Sequence, residues 1–147
     1  MQYIYSDGGR SRYFKGLAGD CVTRAIANAT GEDYREIYDA INKLAKSERR
    51  GTKKRGISSA RNGVYKTTER KYLNSIGWSY KPLVKVGDST RYHLTEEDIE
   101  LLGLERGLYI LQIRKHLTVI KAGVIYDMFN PSEDYYPPTI YGYYYKI

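Results

Sequence analysis

Three apolar runs, GLYILQI (107–113), HLTVIKA (116–122) and GVIYDMF (123–129), follow one another with almost nothing between them. Arg114-Lys115 makes the first link and Ala122-Gly123 the second. Runs of this length and composition read as strands, and links this short permit only antiparallel hairpins. This hairpin series constrains the fold more than any other feature of the chain. TIYGYYYKI (139–147) adds a last strand, and WSYKPLVKV (78–86) an earlier one with Pro82 near a sheet edge.

The first half has the other periodicity. Val22, Ala25, Ile26 and Ala29 recur at helical spacing over about 20–30, with Asp20 placed to cap the start and Gly31 to end it. A second helix is predicted over about 33–47, with Ile37, Ala40, Ile41 and Leu44 as its stripe. A third is expected over 68–75, ending before Gly77, with Thr67 or Thr68 as its cap. LTEEDIELLG (94–103) predicts a short helix capped by Thr95 and stopped by Gly103. Helices first and strands later define an α+β fold, N-terminal helices packed on a C-terminal antiparallel sheet. At 147 residues the whole chain, 1–147, is expected to form one domain.

Between the second and third helices the pattern breaks. The segment at about 48–66 carries Arg49, Arg50, Lys53, Lys54, Arg55 and Arg61 among glycines, with little apolar content. It is expected to be a flexible, solvated basic loop and a contact surface for an acidic protein or a nucleic acid. The net charge of +7 favours acidic partners in the same way. The 17 tyrosines suit strand positions that bury the ring and wet the hydroxyl, while stacking on bases is the other use of such residues. No apolar run reaches the length of a membrane span, and the N-terminus has no apolar leader. The expectation is a cytoplasmic protein without membrane contact. A single cysteine rules out an internal disulfide and any multi-cysteine metal site, and no metal or cofactor is expected.

That cysteine, Cys21, falls at the first turn of the first helix. Unsatisfied N–H groups there favour a thiolate, so the position suits a nucleophile. A lone cysteine on an apolar helix also suits simple packing. A nucleophile needs a base, and the base needs an orienting group. His93 lies in a loop before the Thr95 cap. His116 opens the second strand of the hairpin series, and the tight turn after that strand returns the chain beside it. Asn130, just past the third strand, is the first choice to hold one ring nitrogen, with Asp127 as the alternative. Arg24, one turn after Cys21, suits an acidic ligand or a surface cap, and Asp20 reads as a plain N-cap.

"GDCVTRAI", "HLTVI" and "YDMFNPS" together resemble the papain-like cysteine peptidase superfamily: a cysteine at a helix N-terminus, a histidine opening a strand, and Asn or Asp at the end of the next. The stretches are similar to its compact bacteriocin-processing members, and closer still to small phage and prophage proteins with a "DCVTRA" helix. The resemblance implies a papain-like fold and a cysteine hydrolase acting through an acyl-enzyme on a protein or peptide, with a host protein as substrate if the chain is phage-encoded. It assigns Cys21 as nucleophile, His116 as base and Asn130 as orienting residue. Transglutaminase-like folds share the Cys, His, Asp order, which keeps acyl transfer open beside hydrolysis. The chain departs from the pattern in one respect. Such enzymes carry a Gln shortly before the cysteine to stabilise the oxyanion, and RYFKGLAGD (12–20) has none. The Cys21 N–H supplies one donor; Lys15 or a loop N–H are the candidates for the second. An inactive binding module on the same fold and a basic nucleic-acid-binding protein are the other functions these features allow.

Overall fold

A computed structural model describes residues 1–48 and 56–147. Its elements in chain order are β1 (Tyr3–Tyr5), α1 (Cys21–Thr30), α2 (Tyr34–Ser47), α3 (Lys66–Ser75), β2 (Trp78–Pro82), α4 (Glu96–Leu101), β3 (Leu108–Ile113), β4 (His116–Lys121), β5 (Val124–Asp127) and β6 (Gly142–Lys146). Short 3₁₀ turns lie at Arg10–Arg12 and Pro131–Glu133.

The hairpin series forms as expected. β3 pairs with β4 from Leu108↔Lys121 to Ile113↔His116, so His116 is the first strand residue after the turn. Lys115 in that turn has φ of 53°. Ala122 and Gly123 both have positive φ, the twist that lets a two-residue link join antiparallel strands. The six strands run in the order β1-β5-β4-β3-β6-β2. Pro82 ends β2 on the outer edge, where a missing N–H is harmless.

The sheet is mixed rather than antiparallel throughout, which corrects the sequence reading. β1, which that reading left out, lies parallel to β5 in the register Tyr3↔Ile125 to Tyr5↔Asp127. Three residues at the start of the chain carry no usable periodicity, and only the exposed edge of β5 calls them into a strand.

Each sheet face covers a core. On one face α1, α2 and α3 bury Ile26, Ile37, Ile41, Leu73, Trp78, Ile110, Val119 and Tyr144. On the other, α4 and the long connections bury Leu94, Ile99, Leu104, Leu111, Ile120, Ile125 and Ile140. α1 is central to the first core and is buried on most of its circumference, Thr23 and Arg24 included. α2 starts at Asp33, whose side chain accepts from the Glu36 N–H. α4 starts at Thr95, which accepts from the Asp98 N–H as expected. α3 starts two residues before the expected position, with Tyr65 at its N-cap and no side-chain cap bond.

The 56–65 stretch corrects the expectation of a solvated loop over 48–66. Ser58 and Ala60 are buried. The Ala60 carbonyl accepts from Thr23 Oγ1 on α1 at 2.8 Å, and its N–H donates to Asn42 Oδ1 on α2 at 2.9 Å. Ser58 Oγ and Thr68 Oγ1 are 2.7 Å apart, and Ser59 and Gly63 exchange both backbone bonds. Small side chains let this backbone dock onto the helices, where its bonds to α1 and α2 are made with side chains rather than by periodic structure. Arg49, Arg50, Lys53, Lys54 and Arg55 lie outside the described residues. Among the described residues no helix is long and apolar enough to cross a membrane.

Candidate active site

Helix α1 brings Cys21 to the start of β4. Its first turn abuts the strand there, and the thiol faces the His116 ring and the Leu117 N–H across one cavity. Cys21 and His116 share one wall of a cavity of about 330 Å³, with Gly19, Asn62, Gly63, Lys66, Glu69, Gln112 and Lys115 around it.

The third member is Asp127. His116 Nε2 and Asp127 Oδ2 are 2.6 Å apart. The β4–β5 register, extended one step from Val119↔Tyr126, sets Asp127 opposite Thr118. His116 is two residues away on the same side of the pleat, so the carboxylate reaches the ring diagonally. Nε2 is thereby engaged, which leaves Nδ1 for the thiol.

Asn130, the first choice on sequence, points elsewhere. Its Oδ1 accepts from the Ser132 N–H and hydroxyl, capping the 3₁₀ turn at Pro131–Glu133, and its Nδ2 donates to the Met1 carbonyl. An Asn before Pro at a strand end serves the turn that follows it, and the pleat parity that aims Asp127 at the ring is not shared by a residue three places on. His93 is half exposed in the segment before α4, with its N–H on Asp98 Oδ2 at 2.6 Å.

Charge follows this geometry. Burial opposes an imidazolium at His116, but the hydrogen bonds and charges of Asp127 and Cys21 outweigh it and push the ring up to about 9. Burial likewise disfavours a thiolate at Cys21. The hydrogen bond from His116, the Leu117 N–H and the charges of His116 and Arg24 overcome that and hold the thiol below its ordinary value. Both shifts favour a thiolate–imidazolium pair.

Asp20 sits at the N-cap position of α1 but makes no side-chain cap bond. It is 2% exposed and is held by Arg10 Nη1 at 3.1 Å, Arg24 Nε at 2.9 Å and the Tyr34 hydroxyl at 2.5 Å. Arg24 is buried as well, so it is neither a surface cap nor free to meet an acidic ligand.

The cavity holds residues that sequence reasoning missed. Gln112 lines it, yet its Nε2 donates to the Ile113 carbonyl at 2.8 Å and to the His116 carbonyl at 3.3 Å. It braces the turn that presents His116, so its amide is not a free oxyanion donor. Lys15 is exposed and is not among the lining residues. Glu69 is buried beside the cavity, paired with the Tyr144 hydroxyl, and burial raises its carboxyl above the usual range. It lies on α3, far along the chain from Cys21 and from His116, so only packing could reveal it. Arg61 is exposed, with Nη1 on Asn62 Oδ1 at 3.3 Å.

Beyond His116 a second cavity of about 550 Å³ opens, lined by Phe129, Tyr136, Pro137, Pro138 and Tyr141. Phe129 packs on the imidazole with ring centres 5.1 Å apart. Among the described residues no cluster of three His, Cys, Asp or Glu side chains can hold a metal ion. No protein-family model, curated protein or solved structure matches the chain.

Proposed function

We propose that this protein is a cysteine-nucleophile hydrolase or acyltransferase of papain-like arrangement, acting on a protein or peptide substrate. One observation carries the reading: Cys21 at the first turn of a helix meets His116, whose far nitrogen is held by buried Asp127 at 2.6 Å. The thiolate attacks an amide, ester or thioester carbonyl and forms an acyl-enzyme. His116 gives its proton to the leaving group, then takes one from the water or amine that resolves the intermediate. The Cys21 N–H at the helix start is one oxyanion donor. The position of His116 between two cavities supports this order of events. The acyl half has room beside Cys21, and the leaving group has room on the Phe129 side.

The test is the pH dependence of Cys21 alkylation by iodoacetamide, with Cys21→Ala as the blank. The expected profile has a reactive limb below the ordinary thiol value. An activated ester such as 4-nitrophenyl acetate should give a burst and leave an acetyl group on Cys21. Titration of Cys21 as an ordinary thiol, without a burst, would sink the proposal and leave a binding module.

A further inference from the structure

Four buried charges lie behind the Cys21–His116 pair, and the acyl chemistry uses only one of them. Arg24 joins two carboxylates: Nε to Asp20 Oδ1 at 2.9 Å, and Nη1 to Asp127 Oδ1 at 3.4 Å. Asp20 precedes the nucleophile in the chain, and Asp127 holds the base. Arg10 and Tyr34 fix the other oxygen of Asp20, and Arg10 Nε also donates to the Gly16 carbonyl at 3.2 Å. Asp127 Oδ1 takes a second bond from the Met128 N–H at 2.7 Å. Every member is at most 8% exposed: Arg10 3%, Asp20 2%, Tyr34 1%, Arg24 8% and Asp127 3%.

Two arginines and two aspartates cancel in charge, which is what allows all four to be buried. Charge balance alone does not require the bridge. Arg10 and Asp20 form a complete pair, and Asp127 already has the imidazole and an N–H. The planar guanidinium makes a rigid tie between two acceptors. Here the tie runs from the turn that carries the nucleophile to the strand end that orients the base.

We propose that Arg24 is a positioning residue: through the Asp20–Arg24–Asp127 bridge it sets the distance between Cys21 and His116 and balances the charge of Asp127. The inference rests on the reading of Cys21 and His116 as nucleophile and base. The bridge has two effects of the same sign. The guanidinium charge favours the thiolate, and its share of Asp127 reduces how strongly that carboxylate retains the imidazolium. Loss of Arg24 therefore moves both limbs of the thiolate–imidazolium profile to higher pH. The other charged groups facing the pair are Lys66 and Glu69 of α3 and Lys115 of the β3–β4 turn. None of them touches the bridge, so their contribution is common to all variants.

The experiment is the alkylation profile of Cys21 in the wild type, Arg24→Gln and Arg24→Lys, with thermal melts on the same samples. For Arg24→Gln the low-pH limb should rise by about one unit, making alkylation below that limb roughly tenfold slower. Arg24→Lys keeps the charge but reaches one carboxylate only, so its limb should fall between the other two. A residue that merely packs would change the melting temperature and leave the limbs in place. Where Arg24→Gln does not fold, the lysine variant decides alone. A wild-type profile in every folded variant overturns the inference. A wild type with no low-pH limb overturns the reading of Cys21 and His116 instead.

Discussion

At the scale of single residues, Asp127 and Asn130 separate two jobs that their chain neighbourhood makes look alike. Asp127 ends β5 and Asn130 lies three residues beyond it, and both have a side-chain oxygen suited to an imidazole N–H. Asp127 is buried with its oxygens on His116, the Met128 N–H and Arg24, while Asn130 closes the turn at Pro131–Glu133. Asn130→Ala should cost about 1 kcal/mol of stability, as the loss of a cap does, and leave thiol reactivity unchanged. Asp127→Asn should keep the fold and bring down the upper limb of the alkylation profile, where the imidazolium loses its proton, by about one unit. It removes the charge that retains that proton. An upper limb unmoved in Asp127→Asn, or moved equally in Asn130→Ala, would return the orienting role to Asn130.

At the scale of elements, α1 is held on both sides. The 56–65 stretch docks on it through Thr23. The chain from β1 crosses it on the other side, with the Ser6 hydroxyl on Asn28 Oδ1 at 2.6 Å and the Ser6 N–H on the Asp127 carbonyl at 2.8 Å. At Gly8 this strap comes so near that a Cβ would sit 2.8 Å from the Arg24 carbonyl oxygen, at a φ of +69°. Gly16 has a similar φ of +75° with open space around it. Gly16→Ala should therefore cost roughly 1 kcal/mol, the strain of a left-handed residue alone. Gly8→Ala should cost about 2–3 kcal/mol, since overpacking adds to the same strain. Denaturant melts measure the difference. Equal costs would show that the strap is not seated on α1.

For the whole molecule, the Cys21–His116 pair links stability to pH with two opposing signs. His116 is raised in the fold to about 9 from an ordinary value of 6.5, so its contribution is complete below 6.5 and is lost as pH rises toward 9. Cys21 is lowered, so its contribution is complete above the ordinary thiol value of 9.0 and is lost as pH falls through the folded value. Between these limits the folded pair and the unfolded chain carry nearly the same number of protons, and the wild type should show a shallow dependence. In Cys21→Ala the histidine stands alone with Asp127. Its stability should fall as pH rises above 6.5, more steeply than that of the wild type. Urea midpoints at pH 6, 7, 8 and 9 for the two proteins test this. Parallel curves would mean that the thiol and the ring do not share a proton.

The hairpin series, the first two helices and the Thr95-capped helix were legible because each is a local pattern: alternation, helical spacing, a cap and a stop. The placement of Cys21 and His116 was legible for a related reason. One sits at a helix start and the other opens a strand, and both positions follow from local periodicity. Whatever depends on a partner far along the chain was not legible. β1 is a strand only because β5 offers an edge, and Ala60 is buried only because Thr23 and Asn42 meet its backbone. Asp20 resembled a cap on local grounds and is an ion-pair partner because Arg10 and Tyr34 pack against it. The choice of Asp127 over Asn130 turned on the pleat of two paired strands. Sequence by itself determined which groups were available and on which elements. The tertiary structure decided which of them meet, because hydrogen bonds and ion pairs between distant residues depend on a packing that no local pattern encodes.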